Sequence, residues 1–307
     1  MASFYTSVER FGNNILWRGY ENGKRFSYRV PFAPTFYLHT PKKGGEFRSL
    51  IGNKQLHAQK FGDMRDAKEF VETYKDVGNM QIFGTTNYTT QFIQEQYPGE
   101  IDFDVSQLHI VSFDIEVDIS DGYPDVEIAD KEITSIAFHS SRSDKYTLLG
   151  RKDYDKSATI SGIDPDNINF IKFNSEVELL QYFVRLWASD YPDIVTGWNC
   201  EYFDVQYVVT RIISLLGEET AKRLSPWKHL QKKSNEVFNK VQSTYRISGM
   251  TVIDYMDAFK KFGYKYGPQE SYKLDHIAYS VLGKQKLDYS AYGNLTTLYE
   301  ENPQLYL

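Results

Sequence analysis

The stretch Ser112-Phe113-Asp114-Ile115-Glu116-Val117 has the alternating pattern of a β-strand that carries two acids on one face. Asp114 and Glu116 are two residues apart and therefore point to the same side, while the apolar side chains around them point to the other. Two carboxylates held together repel each other, and a divalent metal ion relieves that repulsion. Acids on the solvent face of an edge strand give the same pattern, so the pair alone does not establish a metal site.

The position of this strand in the chain strengthens the metal-site interpretation. Ile110 lies on the same face as the two acids, so the strand is expected to begin in the interior and to end in acid. Central strands of open sheets deliver side chains in this way to a cleft at their carboxyl ends. The residues that follow alternate between strand and helix patterns, which predicts a layered α/β domain with a mixed sheet. The expected strands are residues 108–117, 133–139, 146–149 and 193–197, and the expected helices are 175–188 and 203–216. Ser175 and Glu178 predict a capping box at the start of the first of these helices. Its expected apolar face consists of Val177, Leu180, Phe183, Val184 and Trp187.

Residues 1–106 have a different character and are predicted to form a small α+β domain. Short β-like runs at 4–11, 27–32 and 35–39 are separated by turns and prolines. One helix is expected at residues 65–77, with Asp63 as its N-cap. The chain becomes polar and acidic before it turns apolar at Leu108, so we place the start of the second domain, residues 107–307, there.

Composition narrows the possible functions. Hydrophobic residues make up 41% of the 307 residues, which is enough for a sizeable core. The net charge of −6 means that any contact with nucleic acid depends on local basic patches. Cys200 is the only cysteine, which excludes a disulfide within the chain and fits a reducing cytoplasm. No apolar run approaches the roughly 18 residues of a membrane helix, so no membrane partner is expected.

A second group of polar residues follows the next buried strand. In Thr196-Gly197-Trp198-Asn199-Cys200-Glu201-Tyr202-Phe203-Asp204, a turn leads into a helix that carries an acid in its first turn. Taken alone, Asp204 could be an ordinary helix-start aspartate and Asn199 an ordinary turn residue. A strand-borne Asp-x-Glu followed by this turn is much less common by chance than either pattern alone.

Together these segments resemble the first two motifs of the 3′→5′ proofreading exonuclease of family B DNA polymerases, of the T-even bacteriophage type. The resemblance extends over the chain through segments such as Gly122-Tyr123-Pro124, Val252-Ile253-Asp254-Tyr255-Met256-Asp257 and Ser271-Tyr272-Lys273-Leu274-Asp275. It implies a ribonuclease-H-like exonuclease domain with a mixed central sheet flanked by helices. It also implies a role in DNA replication in the cytoplasm of an infected bacterial cell.

The resemblance implies roles for the three acids. Asp114 would bridge two metal ions, Glu116 would bind the ion on the nucleophile side, and Asp204 would hold the second ion. Mg²⁺ or Mn²⁺ ions about 3.5–4 Å apart would activate a water molecule and stabilise the departing 3′ oxygen. Hard cations prefer carboxylate ligands, and no His or Cys cluster in the sequence suggests zinc.

Further residues are implied to contact single-stranded DNA or a frayed primer-template. Tyr123 and Phe203 are candidates to stack on the 3′ base, although for either ring alone core packing is the better explanation. Lys286 matches a family lysine near the scissile phosphate, with a solvated lysine as the alternative. The full set of expected DNA-binding residues is Tyr123, Asn199, Phe203, Arg223, Lys232, Lys233 and Lys286.

Residues 222–240 form a locally basic stretch, with five lysines, an arginine and a histidine against the single acid Glu236. In an acidic chain this stretch is a plausible phosphate contact. Residues 237–247 resemble the family's β-hairpin, which helps to move the primer end between sites. Asp254, Asp257 and Asp275 are interpreted as structural or capping residues.

The chain departs from the family at one motif. The third exonuclease motif is a helix with Tyr-x-x-x-Asp, and no such pattern follows Lys286. The segments that would bind an incoming nucleotide are likewise not found, so no polymerisation by this chain alone is expected. Since catalytic carboxylates act as a unit, we expect the isolated chain to be a weak or inactive nuclease. The remainder of the polymerase, in cis or as a separate chain, would supply the missing motif.

Two other functions remain open from the sequence. One is a catalytically silent nucleic-acid-binding or assembly module of a split polymerase. The other is a stand-alone exonuclease acting on small RNA or DNA, which the missing third motif disfavours.

Overall fold

The computed structural model describes residues 3–40, 45–78, 80–158, 162–237 and 240–307, with the backbone alone described at 235–237 and 240–241. Contacts divide the chain into two compact units, Met1–Gln107 and Leu108–Leu307. The predicted separation into two functional domains at residue 107 stays a prediction.

The first unit contains two antiparallel sheets and two helices. One sheet has the order β1-β2-β3 and the other the order β5-β6-β4-β7. Buried Ile15, Phe32, Met64 and Phe92 form its hydrophobic cluster. The elements are β1 Ser3–Phe11, β2 Asn14–Glu21, β3 Lys24–Pro31, β4 Thr35–His39, β5 Phe47–Arg48, β6 Gln55–Lys60, α1 Met64–Tyr74, β7 Ile82–Phe83 and α2 Tyr88–Gln96.

The predicted helix of the first unit is present but shorter than expected. Helix α1 ends at Tyr74 rather than at Val77. Its start agrees with the prediction, because the Asp63 carboxylate accepts hydrogen bonds from the N–H groups of Arg65 and Asp66. Strand β4 agrees in both bounds, whereas β2 and β6 have no clean alternation and were missed.

The second unit is built on a six-stranded mixed sheet flanked by helices, as predicted. Its order is β11-β10-β9-β8-β12-β15, with β8, β12 and β15 parallel to one another. The strands are β8 Ile110–Val117, β9 Ile133–Ser140, β10 Lys145–Gly150, β11 Ile168–Lys172, β12 Ile194–Gly197, β13 Leu230–Val237, β14 Lys240–Ile247 and β15 Thr251–Asp254. The helices are α3 Glu176–Ser189, α4 Asp204–Leu216, α5 Glu218–Lys222, α6 Tyr255–Phe262, α7 Leu274–Leu282, α8 Leu295–Glu301 and α9 Pro303–Tyr306.

Strand β8 is central in this sheet, between β9 and β12. Its apolar side chains Phe113, Ile115 and Val117 are buried in one large cluster with the apolar faces of α3 and α4. That burial leaves the opposite face of β8 to Ser112, Asp114 and Glu116. The alternation therefore sorts the strand into a packing face and an acidic face.

Helix α3 begins as expected and differs from the prediction in one residue of its buried face. Ser175 accepts a hydrogen bond from the N–H of Glu178, and the Glu178 carboxylate accepts one from the N–H of Asn174 rather than of Ser175. Val177 was expected on the buried face, but it is exposed, and Leu179 is buried in its place. In the part of the chain that the structure describes, no helix is both long and apolar enough to cross a membrane.

Candidate active site

The acidic face of β8 is met by the first residue of α4. Asp204 Oδ1 accepts a hydrogen bond of 2.9 Å from the backbone N–H of Ile115, the residue between Asp114 and Glu116. Only 2% of Asp204 is exposed. The structure thus brings together the three acids that the sequence predicted to act jointly, although Asp204 lies 90 positions after Asp114 in the chain.

The turn between β12 and α4 determines where Asp204 lies. A Cβ added at Gly197 would approach the carbonyl oxygen of Phe113 to 2.6 Å, so only glycine lets β12 end this close to β8. The next residue but one, Asn199, has a φ of 61°. Asparagine tolerates this left-handed conformation better than most residues do.

Asp254, at the end of β15, holds the same turn in place. Its carboxylate accepts hydrogen bonds from the N–H groups of Asn199 at 3.0 Å, Glu201 at 3.1 Å and Met256 at 2.9 Å. The last of these caps α6, and Asp254 is buried. Two of its three backbone donors belong to the turn and the third belongs to α6. Asp254 therefore has a structural role.

The three acids disfavour one another's charge. Burial raises the pKa of Asp204 to about 8, and the neighbouring Asp114 adds to the rise, while the Ile115 N–H opposes it. Burial also raises the pKa of Glu116 to about 7, with Asp114 as the second cause. Metal-free, the site therefore holds protons near neutral pH that ordinary carboxylates would have lost.

Lys286 is the cation that opposes this effect. Burial raises the pKa of Asp114, and the positive charge of Lys286 lowers it. The same lysine lowers the pKa of Glu116. The structure therefore places Lys286 within electrostatic range of both strand acids.

The residues suit a hard divalent cation in their chemistry but are not arranged around one. Within the described ranges, no group of three or more His, Cys, Asp or Glu side chains has the geometry to hold a metal ion. The carboxylates of Asp114, Glu116 and Asp204 nevertheless all have raised pKa values, and a divalent cation would stabilise their charged form. The side chains of Asp114, Glu116 and Asp204 would have to rearrange to complete a site.

A cleft of about 430 Å³ opens beside Asp114 on the acidic face of the sheet. Its floor includes Ser112 and Asp114, and Trp198 and Tyr255 contribute to its walls. A larger cleft of about 710 Å³ lies in the first unit, but none of its described lining residues is acidic. Of the three acids, Asp114 lines the smaller cleft, which therefore offers space for a ligand next to one of the candidate catalytic groups.

The predicted base-stacking residues lie in different environments. Tyr123 is 93% exposed in the loop after β8, free to contact a ligand. Phe203 is partly buried, and its ring stacks on Tyr207 with 5.9 Å between ring centroids, so core packing accounts for much of its surface. Asn199 contributes its backbone to the turn described above.

The predicted phosphate-binding residues of the basic stretch are largely engaged with carboxylates. Lys232 forms an ion pair with Glu127 at 2.9 Å, and Lys222 pairs with Glu218 and Glu219. Lys233 lowers the pKa of Glu201. Such pairing reduces the positive charge available to a phosphate. The side chains of Glu236 and Lys240 and the tip of the predicted hairpin at residues 238–239 lie outside the described residues.

Arg223 is exposed, but it lines a separate cleft with Gln181, Arg185, Leu216 and Thr220. None of the three carboxylates lines that cleft. The structure therefore does not bring Arg223 to the acids on β8, and its predicted contact with DNA would have to be made elsewhere.

The C-terminal helix lies near Glu116. The Tyr306 hydroxyl is 2.6 Å from Thr134 Oγ1, and Thr134 Oγ1 donates to the carbonyl oxygen of Glu116 at 3.0 Å. Burial, together with the charge of Glu116, raises the pKa of Tyr306. Tyr306 in α9 thus contacts β9, the strand that pairs with β8.

Two residues of this region were missed as site residues. Trp198 and Tyr255 line the cleft. An aromatic residue directly after a buried strand was the available signal for Trp198. Asp254 was interpreted from the sequence as a structural or capping residue, and its cap on α6 agrees with that interpretation. The turn that it also holds could not be identified without the fold.

A sequence model of the exonuclease domain of DNA polymerase family B matches residues 73–277. The match begins in the first unit and ends within α7 of the second. It covers every candidate acid described above and stops before Lys286.

Several viral polymerases are similar to the chain. The DNA-directed DNA polymerases of Escherichia phage RB69 and Enterobacteria phage T4 are 31% and 30% identical to it, over its full length. The DNA polymerase catalytic subunit of human herpesvirus 8 type P is 29% identical over 63% of the chain. The chain spans 36% and 35% of the two phage polymerases, about a third of their length.

Proposed function

The chain belongs to the family B DNA polymerases and carries their exonuclease domain, and from this premise we propose that it supplies most of a 3′→5′ proofreading site. The single observation that carries the proposal is the hydrogen bond from the Ile115 N–H to Asp204. It gathers Asp204 with Asp114 and Glu116 at one point of the sheet, beside a cleft.

In the proposed reaction, water attacks the phosphodiester that joins the terminal nucleotide to the strand, and the 3′ oxygen departs. Exonuclease domains of this family generally depend on divalent metal ions, and bound ions would supply the activated water and stabilise the leaving oxygen. Asp114, Glu116 and Asp204 would hold the ions. Lys286 would contact the scissile phosphate, and the exposed ring of Tyr123 would stack on the terminal base.

The substrate class in this proposal is single-stranded DNA or the frayed 3′ end of a primer. A further acid, from a segment with Tyr-x-x-x-Asp, would come from the remainder of a polymerase in cis or from a separate chain. The setting would be DNA replication in an infected bacterial cell. Alone, the chain would bind metal and act weakly or not at all as a nuclease, because catalytic carboxylates act together.

Calorimetric titration with Mn²⁺ tests the proposal directly. The wild-type chain should bind the ion, Asp114→Ala should lose that binding, and Asp166→Asn, which removes an exposed acid elsewhere in the second unit, should bind as the wild type does. Adding a polypeptide with the third motif should then raise cleavage of a labelled single strand in the wild type and in Asp166→Asn, but not in Asp114→Ala. If Asp114→Ala bound Mn²⁺ unchanged, the silent module would be the better reading.

A further inference from the structure

The cleft beside Asp114 opens onto a surface that none of the functional assignments has used. Helix α6 begins with Tyr255 in the wall of this cleft and runs to Phe262. Eight residues of α-helix span about 12 Å. The helix and the turn after it thus extend from a residue that lines the cleft over a distance of that order.

Lysines and aromatic rings alternate along this path. Residues 255–266 contain three lysines against the single acid Asp257, in a chain whose net charge is −6. Each lysine is close to the face of a ring. The distances from Nζ to the ring centroid are 5.5 Å for Lys260 and Tyr272, 5.3 Å for Lys261 and Phe262, and 4.8 Å for Lys265 and Tyr266. We call these residues, with Tyr264, the lysine–aromatic surface.

The lysines of this surface take part in fewer ion pairs than those of the basic stretch at residues 222–240. Lys222 and Lys232 are paired with carboxylates, as described above. Neither Lys261 nor Lys265 forms an ion pair with any described residue, and Lys260 has only a longer, exposed contact of 3.4 Å with Asp257. The positive charge of the lysine–aromatic surface is therefore available to an anionic partner.

The outer aromatic rings of this surface are exposed to solvent. Phe262 is 65% exposed and Tyr264 is 85% exposed. Beneath them, Phe259 stacks on Tyr266 with 5.7 Å between ring centroids and lies 6.2 Å from Trp198, whose indole N–H donates to the carbonyl of Tyr272. Packing thus anchors the segment to the turn that carries Asp204 and leaves the outer rings to solvent.

We propose that the lysine–aromatic surface binds the single strand immediately upstream of the 3′ end that enters the cleft beside Asp114. Ring faces that accept any base, interleaved with exposed lysines, are the combination that binds single-stranded nucleic acid without sequence preference. An apolar protein surface would cover the rings but would leave the lysines without an anionic partner. The inference rests on the proposed function for the direction of the strand, but the binding itself does not require cleavage.

Binding of a fluorescein-labelled oligothymidylate, measured by anisotropy with EDTA present, tests the proposal. Combined Lys260→Gln, Lys261→Gln and Lys265→Gln should weaken binding and reduce the slope of log affinity against log salt by about 2, since each contact in a single strand contributes about 0.7. Phe262→Ala and Tyr264→Ala should each weaken binding at least about fivefold. All five side chains are exposed, so none of these changes should unfold the chain.

A control with the same change in net charge separates local contact from general electrostatics. Combined Lys24→Gln, Lys60→Gln and Lys68→Gln alters three exposed lysines of the first unit and should leave affinity and salt slope near wild type. An equal loss in this control, unchanged binding in the surface variants, or no binding by the wild type would each overturn the proposal. Binding of Mn²⁺ should be unchanged in the surface variants, so failure here is distinguishable from failure of the metal site.

Discussion

Asp204 Oδ1 accepts a 2.9 Å hydrogen bond from the backbone N–H of Ile115, and this bond fixes the acid that begins α4 beside the strand that carries Asp114 and Glu116. A backbone donor opposes only part of the cost of burying a carboxylate. The Asp204 pKa of about 8 and the Glu116 pKa of about 7 express the cost that remains.

The first prediction concerns stability and pH. Because the folded-state pKa values of Asp204 and Glu116 lie above their ordinary values, the folded state binds protons more tightly than the unfolded state. The contribution of these two groups to the free energy of unfolding is fully present below about pH 4 and is lost as the pH rises through about 7–8. The free energy of unfolding of the metal-free chain, measured with urea, should therefore fall over this window.

Asp204→Asn is the matched variant for that measurement. It cannot ionise, so it should lose much of the pH dependence and be about 2 kcal/mol more stable than wild type at about pH 8.5. The amide oxygen can still accept the Ile115 hydrogen bond. Equal pH profiles for the two proteins would show that Asp204 titrates normally.

The second prediction concerns metal and thermal stability. A cation that binds only the folded chain stabilises it by about 2.7 kcal/mol at a hundredfold excess over its dissociation constant. Mn²⁺ should raise the melting temperature more at about pH 8 than at about pH 6, since protons compete for the carboxylates. Asp114→Ala should abolish this gain and Asp166→Asn should keep it. A gain of the same size in Asp114→Ala would place the ion elsewhere.

The third prediction concerns Asp254 and the turn. Asp254→Ala leaves the part-buried N–H groups of Asn199 and Glu201 without their acceptor, which should cost about 1–3 kcal/mol in chemical denaturation. Asp257→Ala, which removes an exposed acid one turn further along α6, should cost less than about 0.5 kcal/mol. Similar losses in the two variants would argue that the turn does not depend on Asp254.

The fourth prediction concerns the close approach at Gly197. Gly197→Ala would bring a Cβ to within 2.6 Å of the Phe113 carbonyl oxygen and 2.8 Å of the Cys200 Cβ. Moving β12 away from β8 should cost about 1–3 kcal/mol and weaken Mn²⁺ binding, because Asp204 follows the same turn. Gly78→Ala, where a Cβ meets nothing within 4 Å, is the control and should be nearly neutral. A neutral Gly197→Ala would show that the two strands can separate at no cost.

Local patterns carried much of the prediction. Hydrophobic alternation identified β8 and β9, and Asp63 and Ser175 marked helix starts, because these signals depend on neighbours within a few residues. The predicted buried face of α3 was wrong at Val177, which is exposed. An apolar residue in the first turn of a helix can fit the helical period and still point to solvent. The basic stretch was visible as a run of lysines, but the run itself could not show that Glu127 neutralises Lys232 across 105 positions.

The sequence by itself determined that two acids share one face of a strand and that a third acid begins a helix. It also determined that this strand and this helix belong to an α/β layered unit. Those conclusions follow from the two-residue period of a strand and from helix-capping chemistry, which act locally. Only the tertiary structure decided that Asp204 accepts a hydrogen bond from the N–H of Ile115 and that Asp254 holds the turn between β12 and α4. It also decided which lysines form ion pairs with carboxylates. Each of these depends on contacts between segments far apart in the chain, which burial of the apolar faces of β8, α3 and α4 brings together.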